Sequence, residues 1–138
     1  METNHRPDAL TTQEVLEKVL SGAVVKTSLP LGRQLPLAFL AGLYIGLGGL
    51  FATLFLSDAS LSFAVQRFGA GAVFSLGLSL VLVAGAELYT GNTMIAASAA
   101  DGRITWGATL LNWVRVWLGN ALGALTLVAL VACAHTAD

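Results

Sequence analysis

The stretch Gly85-Ala-Glu-Leu-Tyr-Thr-Gly-Asn-Thr-Met94 interrupts an otherwise apolar segment with an acid, several hydroxyls, a glycine and an amide, and the apolar pattern resumes from Ile95 to Ala100. Polar groups of this kind have no place on a lipid-facing helix, where each unsatisfied one costs several kcal/mol. Irregular backbone survives at membrane depth only inside protein or beside a water-filled cavity. The pattern predicts a membrane helix broken near residues 90–92. A continuous helix whose Glu87, Thr90 and Asn92 bond a neighbouring helix is the plainer alternative. An acid within a span is costly, however, and marks an ion path or an internal pair, so its coincidence with Gly91 and Asn92 favours the break.

The rest of the chain has the composition that this reading requires. Its 138 residues are 56% hydrophobic and 11% charged, against roughly 25% charge in soluble domains. About 20 apolar residues are needed to cross the hydrocarbon core, and three runs qualify, at 35–56, 68–100 with its break, and 106–134. Pro36 is expected in the first turn of the first span, where its missing N–H is not needed. Gly42 and Gly46, followed by Gly48 and Gly49, offer a small-residue face for close helix packing. Residues 61–67 are short, mixed and expected to be interfacial, and Asp101-Gly-Arg103 is the polar turn before the third span.

Residues 1–33 form a polar leader and 34–138 a three-helix membrane unit. Within the leader, Thr11-Thr-Gln-Glu14 has the pattern of a capping box opening an amphipathic surface helix, with Val15, Leu16, Val19 and Leu20 on one side. Arg6, Lys18, Lys26, Arg33 and Arg103 lie on one side of the spans and Arg67 on the other, so the N-terminus is expected in the cytoplasm of a multi-pass protein of the inner (plasma) membrane. Arg115 falls roughly a dozen ångströms into the third span at about 1.5 Å per residue; it is expected to snorkel toward the cytoplasmic face, the alternative being a pair with Glu87.

The net charge of −1 carries no nucleic-acid footprint. Cys133 reads as an apolar filler, and His5 and His135 as surface residues. No metal-ligand cluster, nucleophile-and-base set or phosphate-cradling loop is visible, so the chain is not read as an enzyme and no cofactor is expected. A helix broken near the midplane presents free N–H groups and the positive end of its dipole to an anion. Asn92 or Thr93 is the expected cap of the second half-helix, Glu87 and Gly91 belong to the loop, and Thr90 offers its hydroxyl to the pathway.

The run Gly85 to Thr90 resembles the broken second helix of the formate/nitrite transporter family. Phe74-Ser-Leu-Gly-Leu78, Gly102-Arg-Ile-Thr-Trp-Gly107, Asn112-Trp113 and Gly119-Asn120 carry the likeness along the chain in order. The resemblance implies an all-α protein in which these three helices are one half of an aquaporin-like inverted-repeat bundle of six, assembled as a homopentamer, and passing small monovalent anions such as formate, nitrite, hydrosulfide or lactate. By position, Phe74 and Leu78 would belong to an outer hydrophobic constriction, Leu88 and Tyr89 to an inner one, and Thr90 would face the chamber between them. The family's central histidine belongs to the second three-helix unit, and neither His5 nor His135 matches it. Transport is therefore expected to be incomplete without that unit. A non-transporting anchor or assembly subunit and a neutral-solute pore of the aquaporin kind are the competing readings; the latter lacks an Asn-Pro-Ala signature, with Gly91-Asn-Thr93 at the break instead.

Overall fold

The computed structural model describes residues 10–135; His5, Arg6 and the rest of the first nine residues lie outside that range. Six helices follow in order: α1 (Thr12–Thr27), α2 (Leu31–Ser57), α3 (Phe63–Val83), α4 (Tyr89–Asn92), α5 (Ile95–Ala100) and α6 (Trp106–His135). Among them α2, α3 and α6 are long and apolar enough to cross a membrane.

The first helix opens on the capping box read from the sequence. The Glu14 amide donates to the Thr11 hydroxyl at 3.3 Å, and the Thr11 amide donates to the Glu14 carboxylate at 2.8 Å, which satisfies two otherwise orphaned donors. Leu20 and Ala23 are buried, so α1 rests on the bundle rather than lying free. Pro30 then serves as the N-cap of α2, and the membrane helix starts at Leu31, inside the stretch assigned to the leader. Pro36 consequently sits in the second turn. It withholds a donor from the Gly32 carbonyl, and Gly32 is exposed, where water can replace that donor.

Helix packing is set by glycines. A Cβ on Gly42 would strike the Asn120 carbonyl, one on Gly119 would lie 2.5 Å from the Ala38 Cβ, and one on Gly123 would strike the Phe39 carbonyl. These contacts advance in the same direction along both chains, so α2 and α6 run parallel. On the other side of α2, Gly48 meets Phe74 and Gly77, while Gly69 meets Phe55. That register runs in opposite directions, so α2 and α3 are antiparallel. With α2 packed on both, backbone approach replaces the hydrophobic drive that lipid cannot supply.

The segment read as short and interfacial, 61–67, is helical from Phe63 onward, capped by the Ser62 hydroxyl, which accepts from the Val65 amide at 3.4 Å. Helix α3 ends in a Schellman turn. Gly85 takes φ +59, its amide donates to the Leu82 carbonyl at 3.2 Å, and the Ala86 amide reaches back to Val81 at 2.9 Å. Residues 84–88 are the non-helical stretch. The residues 90–92 named for the break are themselves helical, because the glycine that tolerates the left-handed turn is Gly85 and not Gly91.

Candidate functional site around residues 84–93

Where the chain leaves α3, its backbone polar groups are taken up by neighbouring helices. The Glu87 amide donates to the Leu37 carbonyl of α2 at 3.2 Å. Asn120 of α6 does most of the rest: its Oδ1 accepts from the Tyr89 amide at 2.9 Å, and its Nδ2 donates to the carbonyls of Glu87 at 2.9 Å and Ala38 at 2.8 Å. One amide side chain thus holds the first N–H of α4, the loop and α2 together, its oxygen accepting one bond and its NH2 group donating two.

A second polar cluster lies on the α1 side of the loop. The Lys26 ammonium donates to Glu87 Oε1 at 2.7 Å and to Asn92 Oδ1 at 2.8 Å. Asn92 Nδ2 donates to Glu87 Oε2 at 2.7 Å and to Asn112 Oδ1 at 2.9 Å, and Asn112 Nδ2 closes the ring on the Lys26 carbonyl at 3.1 Å. The Trp113 indole donates to the Asn92 carbonyl at 2.8 Å. Glu87, Asn92 and Asn112 are buried, and a buried polar group is tolerated when it is bonded in this way. The carboxylate of Glu87 is satisfied by Lys26, so the pairing with Arg115 considered from the sequence is not formed.

Asn92 and Thr93 do not cap a half-helix. The N-caps of α4 and α5 are Leu88 and Met94, neither with a side-chain cap bond. Asn92 spends its side chain on Glu87, Lys26 and Asn112, while the Thr93 hydroxyl donates to the Thr90 carbonyl at 2.6 Å. The segment from which the second half-helix was expected holds two pieces of four and six residues, too short to sum a full macrodipole.

The remaining residues singled out in the sequence fall in different settings. Leu88 packs on the cluster of Ala41, Val81 and Ala86. Tyr89 lines an open groove with Trp113 and Trp117 of α6. Thr90 and Gly91 are exposed beside the loop. Phe74 and Leu78, one turn apart on α3, are each about half exposed, at 45% and 44%. Lys26, Asn112 and Asn120 were not assigned to the site from sequence, although the pairs Asn112-Trp113 and Gly119-Asn120 are among the stretches that carry the family resemblance.

Beyond the loop, Arg103 binds Glu17 through two nitrogens, at 2.6 and 2.8 Å, and Asp101 at 2.8 Å. These contacts hold the Glu17 carboxyl below the usual range, chiefly through the Arg103 hydrogen bond, and raise the Arg103 guanidinium. They also fasten α1 to the turn before α6. Ser98 of α5 adds a bond to the Leu20 carbonyl at 2.9 Å.

Three apolar helices around an irregular segment whose backbone is satisfied by side chains from its neighbours define a multi-pass membrane protein of the channel or transporter class. Residues 13–138 match the family model described as Formate/nitrite transporter. The chain is 40% identical over 96 residues to the formate channel FocA of Escherichia coli K12, covering 69% of this chain and 34% of that one. It is 38% identical over 116 residues to a probable formate transporter of Methanothermobacter thermautotrophicus, covering 81% and 42%, and 37% identical over 128 residues to the formate channel BtFdhC of Bacillus thuringiensis, covering 88% and 46%. A solved structure of an FNT family ion channel superposes with a TM-score of 0.77 at 30% identity, over 89% of this chain and 50% of that one. The chain belongs to the formate/nitrite transporter family, and it spans about a third to a half of the length of these relatives.

Proposed function

We propose that the chain supplies one three-helix unit of a transmembrane pathway for small monovalent anions or their acids, formate and nitrite being the first to test. The observation that carries this reading is the loop at 84–88. It is held from both sides by Asn120 and by the Lys26–Glu87–Asn92 cluster, and it leaves the neighbouring Thr90 hydroxyl exposed. In this reading α3, α4 and α5 act as one broken membrane segment. Thr90 offers a hydrogen bond to the passing anion, Leu88 and Tyr89 narrow one side of it, and Phe74 and Leu78 narrow the other. Apolar narrowings reject hydrated ions, because an ion stripped of water without compensating partners is costly.

A pore of this kind needs a second three-helix unit over the exposed side of α3, related to the first as in an aquaporin-like inverted repeat, and the assembly implied is a homopentamer in the plasma membrane. A cytoplasmic N-terminus is supported by the described basic residues: Lys18, Lys26, Arg33 and Arg103 gather at one end of the spans and Arg67 stands at the other.

The test is formate and nitrite flux into proteoliposomes across an imposed pH gradient, with a Thr90→Ala control. A hydrogen bond to a charged partner is worth about 1.5–3 kcal/mol, so the substitution is expected to lower flux by about tenfold or more. Equal flux from both proteins would remove Thr90 from the pathway. Absence of flux from a well-inserted chain would show that these helices alone do not conduct, the outcome expected of one unit of a pathway completed by a second, and of an anchoring or assembly subunit.

A further inference from the structure

Two arginines on the packed α2/α6 pair stand without an ion pair among the described residues, Arg33 and Arg115. Arg115 is half-buried and Arg33 exposed. An unpaired guanidinium inside a membrane helix is costly and calls for a counter-charge. Helix α6 has 30 residues, about 45 Å, against a hydrocarbon core of about 30 Å; centred on that core, it places Arg115 about 7 Å inside the boundary.

Arg33 comes to the same depth. The parallel register brings Ala38 against Gly119, and stepping back five residues on each helix sets Arg33 level with residue 114. Next to this level an open apolar groove of about 520 Å³ runs between the two helices, lined by Leu35, Pro36, Phe39, Leu40, Gly119 and Leu122. Arg33 precedes Pro36 and Leu40 by three and seven residues, and Arg115 precedes Gly119 and Leu122 by four and seven. At helical spacing each arginine therefore continues one wall of the groove toward its α1 end. The groove lies on the other side of α6 from Trp113 and Asn120, which face the loop, so it is separate from the proposed pathway.

We propose that this groove is a binding site for an anionic phospholipid of the leaflet on the α1 side. The phosphate lies between Arg33 and Arg115, and an acyl chain fills the apolar channel beyond them. The charge complementarity is specific: two cations flank one end of a channel whose remaining walls carry no charged side chain. Basic pockets between membrane helices bind acidic headgroups in this manner, and the guanidinium fork matches phosphate oxygens in pairs. Arg115 snorkels toward this phosphate along its own apolar stem.

The test is native mass spectrometry of the detergent-solubilised chain with phosphatidylglycerol or phosphatidylcholine as probe. Wild type is expected to retain phosphatidylglycerol over phosphatidylcholine by about tenfold or more, and Arg33→Gln/Arg115→Gln to reduce this to within about twofold. Lys18→Gln/Arg67→Gln, which removes the same charge elsewhere, is expected to keep the preference. Should the double variant fail to insert, each single variant is expected to lose about threefold on its own. An undiminished preference in the arginine variants overturns the proposal. So does equal displacement of the lipid by inorganic phosphate, which would make the site one for a free anion. Disulfide-linked dimers formed through Leu122→Cys in a Cys133→Ser background, with no lipid retained, would show a second copy in the groove and overturn it as well.

Discussion

Replacing Lys26 with methionine tests the ion pair that joins α1 to the loop. The ammonium lies 2.7 Å from Glu87 Oε1, and the two side chains are unequally exposed, 36% for Lys26 and 5% for Glu87. Breaking a fully buried pair costs about 3–5 kcal/mol because an uncompensated charge remains, whereas exposed pairs contribute about 0–1 kcal/mol. Here the charge left behind is the buried one. It retains the bond from Asn92 Nδ2 at 2.7 Å, and the vacated lysine side is one-third open to water. Lys26→Met is therefore expected to destabilise by about 2 kcal/mol. Glu87→Gln leaves its charge on the open side, where Asn92 Oδ1 and water still serve Lys26, and is expected to cost about 1 kcal/mol. The double variant buries no charge and should lie within about 1 kcal/mol of wild type, a coupling of about 2–3 kcal/mol. Denaturant unfolding in detergent micelles gives these values. Fluorescence is a suitable probe, since the Trp113 indole is bonded to the Asn92 carbonyl. A Lys26→Met stability within about 0.5 kcal/mol of wild type, or strictly additive single effects, would refute the reasoning.

Asn120→Ala removes the acceptor for the Tyr89 amide and the donor for two carbonyls; a loss of about 2–3 kcal/mol is expected, and amide exchange of Tyr89 should rise more than that of residues 112–116. A uniform rise along α6 would show a packing effect instead. The Glu17–Arg103 pair should make the docking of α1 acid-sensitive. The folded pKa of Glu17 is lowered, so its contribution is present above the unfolded carboxylate value and is lost as pH falls through the lowered one. Thermal unfolding followed between pH 6 and pH 3 should lose that increment, and Arg103→Gln should abolish it.

The membrane helices were legible in the sequence because length and hydropathy depend on windows of residues, and each window lies within one element. Their beginnings were less so. Leu31 to Arg33 read as leader and the span was started after Gln34 because Arg33 and Gln34 are polar, yet Gln34 is buried against the bundle, a fact of tertiary packing that no local pattern carries. The polar interruption was legible as a region, but the residues outside helices between α3 and α4 are 84–88 and not the 90–92 expected. Two glycines, Gly85 and Gly91, flank the polar stretch, and only the one with free donors arranged for a Schellman turn stops the helix.

The candidate site was legible where residues alter an apolar run and illegible where they act across the chain. Glu87 and Asn92 could be singled out because each is anomalous among its neighbours. Their partners could not: Lys26 is 61 residues from Glu87 and 66 from Asn92, and looks like an ordinary basic residue at the end of a surface helix. The same separation explains why Asn92 was taken for a helix cap, the local use of an asparagine, when a long-range one was available. A cap is worth about 1 kcal/mol, and Asn92 instead satisfies a buried carboxylate, an ammonium and a second amide at once. Leaving that carboxylate unbonded would cost more than an uncapped helix of six residues, and this inequality assigns Asn92 to the cluster and leaves the start of α5 to backbone bonds alone.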